Sequence, residues 1–146
     1  MPPDLSVADL EALVLRLGSV TTFRDGLSRT AAATLSRLAT SGVARLTDLA
    51  VAEGVSQPSM SSLVARLVDQ GLVRRETDPE DARAVRLSLT AAGEALVVER
   101  RTARTRRLDA ALAELPPEDV ARIAAAVPAL TRLADALRRS PKEVSR

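Results

Sequence analysis

The sequence predicts a mainly α-helical fold carrying one small β-hairpin, and three observations lead there. Both flanks of the chain are rich in Ala, Leu and Arg, which are strong helix formers, and poor in Gly and β-branched residues. In the middle, two short helical patterns are separated by a turn that contains Gly54, the signature of a helix-turn-helix. The period then changes from helical to alternating: Leu72–Glu76 and Val85–Leu89 read as strands around a polar loop containing Pro79. A helix-turn-helix followed by such a hairpin is a winged helix-turn-helix. The chain's 146 residues fit one domain. Within it, 43–90 would be the winged region, and 5–25 and 91–139 the N- and C-terminal helices.

Each element has a local cause. A first helix is expected from Ser6 to Phe23, because Leu10, Leu13, Val14, Leu17 and Val20 recur at helical spacing and Ser6 can cap it. Gly26 breaks the pattern. Ser28 caps a second helix to Thr40, with Leu35 and Leu38 inward, and Ser41-Gly42 ends it. Ala44-Arg45-Leu46 is short and extended. Thr47 is the expected cap of a helix Asp48–Glu53, whose Asp48 suits the positive end of the helix dipole. Gly54 stops that helix. Ser56 caps the next, Gln57–Gln70, with Pro58 tolerated in its first turn, and Gly71 ends it. Beyond the hairpin, Thr90 caps a long helix to Glu114, closed by Pro116-Pro117. Ile123, Val127, Leu130, Ala134 and Leu137 then recur at spacings of four and three, a coiled-coil-like seam. Pro128 is expected to kink this helix or shift its start. Ser140–Arg146 reads as a frayed tail.

Composition excludes several functions. With no Cys and no His, the chain can form neither a disulfide framework nor a Ser-His-Asp triad nor a zinc-histidine site. Phe23 is the only aromatic residue, which removes a stacking platform for single strands. No Gly-rich phosphate loop and no paired catalytic carboxylates stand out, so no enzyme, metal site or cofactor is expected. Lys142 is the only lysine, and the other 20 basic residues are arginines. No apolar run approaches the roughly 18 residues of a membrane helix. Met1-Pro2-Pro3-Asp4 lacks the start of a signal peptide, so a cytoplasmic location without a membrane partner is expected.

The candidate reader is the helix from Gln57. At 100° per residue, Met60, Leu63, Val64, Leu67 and Val68 form one apolar stripe, while Pro58, Ser59, Ser62, Ala65 and Arg66 lie opposite. That outward face is small and polar with one arginine, suited to close approach in a major groove. An ordinary amphipathic helix has the same stripe, and it is the flanking turn and hairpin that favour a reader. In the wing, Arg83 sits near the loop tip with Asp81 two residues before it. Such an arginine can enter a narrow minor groove, and Asp81 can hold its guanidinium. The alternative is an exposed surface pair. The charge count opposes strong non-specific binding: 43–90 holds six basic and seven acidic residues, net −1. The run Arg100–Arg107 places Arg100, Arg104 and Arg107 on one helix face. It reads either as an anion site or as a solvated face paired with acids such as Asp4, Asp9 or Glu11.

Taken together, Leu46-Thr47-Asp48-Leu49-Ala50, Val55 to Leu67, Gly71-Leu72-Val73-Arg74-Arg75, Asp78-Pro79-Glu80-Asp81-Ala82-Arg83 and Leu87 to Gly93 resemble the MarR family of bacterial winged-helix regulators. The match is close over Ser41 to Leu96. The resemblance implies a transcriptional regulator, most commonly a repressor, that binds a pseudo-palindromic double-stranded DNA operator as a homodimer at the bacterial nucleoid. It implies DNA contacts from Ser56, Gln57, Pro58, Ser59, Ser61, Ser62, Arg66, Arg74, Asp81, Arg83 and Arg86. Dimer contacts would come from Leu10, Leu13, Leu17, Ile123, Val127, Leu130 and Leu137. A small lipophilic or anionic effector would lie near Arg16, Phe23 and Arg24. Ser62 and Ala82 stand where the family commonly has arginine, and both departures remove a cation. The rival class is a winged helix that docks proteins without specific DNA binding.

Overall fold

The computed structural model describes residues 6–20 and 26–139. Its elements run α1 (Val7–Val20), α2 (Arg29–Ser41), β1 (Val43–Arg45), α3 (Leu46–Glu53), α4 (Gln57–Asp69), β2 (Val73–Thr77), β3 (Val85–Leu89), α5 (Ala91–Ala113) and α6 (Pro117–Arg139). The three strands form an antiparallel sheet in the order β1-β3-β2. This is the expected mainly α fold with a small wing. The chain divides into two compact units, Met1–Arg101 and Thr102–Arg146.

Side-chain caps set several helix starts. Ser6 Oγ accepts the Asp9 amide at 3.3 Å, Ser28 Oγ accepts that of Ala31 at 3.1 Å, and Thr90 Oγ1 accepts that of Gly93 at 3.1 Å. Thr47 does not cap. β1 stays paired through Arg45, opposite Arg86, so the chain turns into α3 directly at Leu46 and Thr47 lies inside the first turn. Pro128 neither shifts the start of α6 nor interrupts it; the proline costs one backbone donor, and the helix continues from Pro117 to Arg139. The expected end of the first helix at Phe23 and the tail Ser140–Arg146 lie outside the described residues.

The core of the first unit gathers Ala31, Leu35 and Leu38 of α2, Leu49 and Ala50 of α3, Met60, Leu63, Val64 and Leu67 of α4, and Val73, Leu87 and Leu89 of the sheet. Burying each of these Leu, Val and Met side chains contributes about 1.5–3 kcal/mol, which holds α4 against the sheet with its other face outward. Arg37 of α2 bridges to Glu53 of α3 at 3.0 Å. Between α3 and α4, Gly54 adopts φ 66° and ψ 38°, and its amide bonds back to the carbonyls of Ala50 and Val51. A side chain there would be strained, which fixes the tight turn of the helix-turn-helix. Where α5 begins, Gly93 is buried so closely that a Cβ would overlap the carbonyl oxygen of Leu72. The same oxygen accepts the Thr90 amide at 3.1 Å, and Thr90 Oγ1 donates to the Gly71 carbonyl at 2.6 Å.

In the second unit, α6 leaves Ile123, Val127, Leu130 and Leu137 exposed. In the first, α1 exposes Leu13 and Leu17, with Leu10 half-buried.

Candidate nucleic-acid interface

Ser56 starts α4 as its N-cap: its Oγ accepts the Ser59 amide at 3.3 Å and donates to Ser59 Oγ at 2.8 Å. The apolar stripe Met60, Leu63, Val64 and Leu67 is buried, and Gln57, Pro58, Ser59, Ser62, Ala65 and Arg66 are exposed. The outward face is therefore the small polar one that the sequence predicts.

The first turns of α4 and the wing enclose a cleft of about 380 Å³. Gln57, Pro58 and Ser61 line it from α4, Arg75 from β2, Arg83, Ala84 and Val85 from the wing, and Arg45, Leu46 and Thr47 from the start of α3. Arginines lining a concave surface together with a serine and a glutamine suit a phosphate-bearing strand with polar edges beside it.

The wing is built by two aspartates. Asp81 does hold Arg83, but through the backbone: its Oδ1 accepts the Arg83 amide at 3.0 Å. The turn is an Asx turn rather than a guanidinium pair. Asp78 makes the same turn three residues earlier, its Oδ1 accepting the Glu80 amide at 3.0 Å. Its Oδ2 accepts from Arg45, with Nε at 3.0 Å and Nη2 at 2.9 Å. The Glu80 amide and the Arg45 guanidinium hold the Asp78 carboxyl below its ordinary range, against the opposing effect of burial.

The structure does not bring every expected contact residue together. Val73, Arg75 and Thr77 face Leu89, Leu87 and Val85, so alternation puts Arg75 on the face toward α4. Arg74 and Arg86 fall on the other face. Arg74 Nε donates there to Ser88 Oγ at 2.8 Å and lies 3.6 Å from Glu76. Arg86 stands opposite Arg45. Arg66 borders a separate small cavity with Leu27, Ser28 and Gln70. Arg16 lies on α1, whereas Phe23 and Arg24 lie outside the described residues. Sequence reasoning missed Arg75 and Arg45 for the cleft, and Asp78 for the wing.

The model of the MarR family matches residues 27–85, which span the helix-turn-helix and the start of β3. An HTH-type transcriptional regulator of Mycobacterium bovis is 37% identical over 111 residues, covering 74% of this chain and 78% of that protein. The chain belongs to the MarR family. It is a transcriptional regulator of that family by sequence, and its winged helix-turn-helix is the family's DNA-binding fold. The structure of NadR in complex with 4-hydroxyphenylacetate is 25% identical, covers 97% of this chain and 99% of that one, and superimposes with a TM-score of 0.69. A Staphylococcus aureus MepR variant bound to an oligodeoxyribonucleotide is 20% identical, covers 92% and 99% of the two chains, and has a TM-score of 0.66. No described helix is long and apolar enough to cross a membrane. Among the described residues, no group of three or more His, Cys, Asp or Glu could hold a metal ion.

Proposed function

We propose that this MarR-family chain is a homodimeric repressor that binds a pseudo-palindromic duplex operator and leaves it when a small lipophilic or anionic effector binds. The observation that carries the reading is the cleft between α4 and the wing. It joins Gln57 and Ser61 of α4 to Arg75 and Arg83 of the hairpin, a polar reader beside two cations. In this reading α4 enters the major groove, its exposed Ser59, Ser62 and Arg66 meet base edges or phosphates, and Arg83 enters the adjacent minor groove. The MepR variant bound to an oligodeoxyribonucleotide supports a DNA partner for this fold. The NadR complex with 4-hydroxyphenylacetate supports a small organic anion as effector.

Dimerisation is supported by the apolar side chains that α1 and α6 each leave exposed in the single chain. Such stripes on a soluble protein mark interaction surfaces. Two subunits also compensate for a winged region whose net charge is −1, because each supplies few phosphate contacts.

The test is selection of bound duplexes from a random pool at two salt concentrations. The expected product is an inverted repeat with half-sites about 34 Å apart. Its affinity should fall with salt by about 0.9 log units per phosphate contact per decade. Recovery of nothing above background by a folded, dimeric protein would overturn the reading. The near-neutral winged region would then favour a protein-docking module.

A further inference from the structure

We infer that Arg45 and Asp78 form a clasp that sets the wing's position relative to the recognition helix, so that Asp78 governs DNA affinity through Arg83. The inference rests on the DNA-binding reading above and names a positioning residue for it. Asp78 does not line the cleft, and it is the one buried ionisable side chain among the described residues.

The connections run in series. Arg45 is the last residue of β1 and the N-cap residue of α3, so its backbone belongs to the helix-turn-helix. Its guanidinium reaches across 33 residues of sequence to Asp78 at the base of the wing. The Asp78 amide donates to the Ala84 carbonyl at 2.9 Å, which closes the loop. The Asp78 carbonyl accepts the Asp81 amide at 3.3 Å, and Asp81 in turn holds the amides of Arg83 at 3.0 Å and Ala84 at 2.9 Å. Every backbone bond that presents Arg83 therefore passes through one of the two aspartates.

Electrostatics gives the clasp a second function. Arg45 and Arg86 stand directly opposite each other on β1 and β3. Like charges in that position repel. The Asp78 carboxylate interacts favourably with both guanidiniums. Without it, Glu76, opposite Arg86 on β2, is the carboxylate left in that cross-strand row, and Arg45 loses the one it is bonded to. The Arg45 side chain is 45% exposed, so the pair adds little to global stability. Its effect is on position.

Two measurements test this on the full chain. The first is amide hydrogen exchange of Asp78→Asn without DNA. Exchange at Glu80, Asp81, Arg83 and Ala84 should quicken while the amides of α4 keep their protection. The second is binding to the duplex recovered by selection with the wild-type protein. Asp78→Asn and Arg83→Ala should each weaken binding by about tenfold, and the double variant should lie within about twofold of Arg83→Ala alone. Asp78→Asn combined with Ser62→Ala should show additive losses. If Asp78→Asn fails to keep α4 protected, Arg45→Gln replaces it, with the same pattern expected, and Arg45→Lys should restore part of the affinity. Unchanged exchange in the wing, or losses of Asp78→Asn and Arg83→Ala that add in full, would overturn the inference. Quickened wing exchange in a protein that recovers no duplex would instead overturn the DNA-binding reading and leave the clasp as a wing anchor.

Discussion

The two faces of the three-stranded sheet meet different surroundings. On the face toward α4, Val73, Leu87 and Leu89 are buried, and Arg75 stands opposite Leu87 and borders the cleft. On the other face, Val43, Ser88 and Arg74 make one row, and Arg45, Arg86 and Glu76 make the next. Arg74 and Arg75 are adjacent in sequence and chemically identical. One is held by Ser88 and Glu76, and the other is presented beside Gln57 and Ser61. In a short hairpin, the pleat decides which arginine faces the cleft.

The largest test of this contrast is on the buried face. Leu87→Ala removes a fully buried side chain at the centre of the sheet, and unfolding in urea should show a loss of about 2–5 kcal/mol. A loss well below that would mean the inner face is not tied to the core. The next effect is on binding. Arg75→Ala should weaken duplex affinity by about tenfold and lower the salt slope by about 0.9, with the melting temperature unchanged. Arg74→Ala should stay within about twofold. Equal losses from the two would erase the distinction between the faces. The smallest effect is on pH. The folded state holds Asp78 below its ordinary carboxyl value, so the unfolded chain takes up that proton first as pH falls. Asp78 therefore adds stability above about pH 4, and the contribution fades as pH drops through its lower folded value. Melting curves of wild type and Asp78→Asn should differ by a constant amount from neutral pH to about pH 5 and converge in acid. A difference that persists into acid would show that the carboxylate charge is not what the clasp uses.

Much of this architecture was legible because its causes are local. Ser28, Ser56 and Thr90 cap the helices they precede, since a cap needs only a hydroxyl next to a helical run. The apolar stripe of α4 could be read by projection for the same reason. Arg75 was legible too: a strand containing buried Val73 turns residue 75 to the same side, and alternation alone would have chosen it over Arg74. Thr47 misled because β1 pairs through Arg45, a contact with a strand about 40 residues later that no local pattern announces. Asp78 was hidden for a related reason. Its sequence neighbours describe an exposed acidic loop, and only Arg45, 33 residues upstream, explains why its carboxylate is buried. The run Arg100–Arg107 reads in the sequence as an anion site or as a solvated face, and the structure leaves Arg101, Arg104, Arg106 and Arg107 exposed and Arg100 half-buried.

The tight junction at Gly93 has a consequence for engineering. Leu72, Thr90 and Gly93 stitch the two open ends of the hairpin together, with no room for a Cβ at position 93. In a saturation library, that column should hold glycine and nothing else. Because the ends cannot slip, any change in hairpin length must be absorbed at the tip, between the two residues joined by the Asp78–Ala84 bond. Residues 79–83 should thus act as an exchangeable cassette: a wing of different length or charge grafted there should leave α4 where it is.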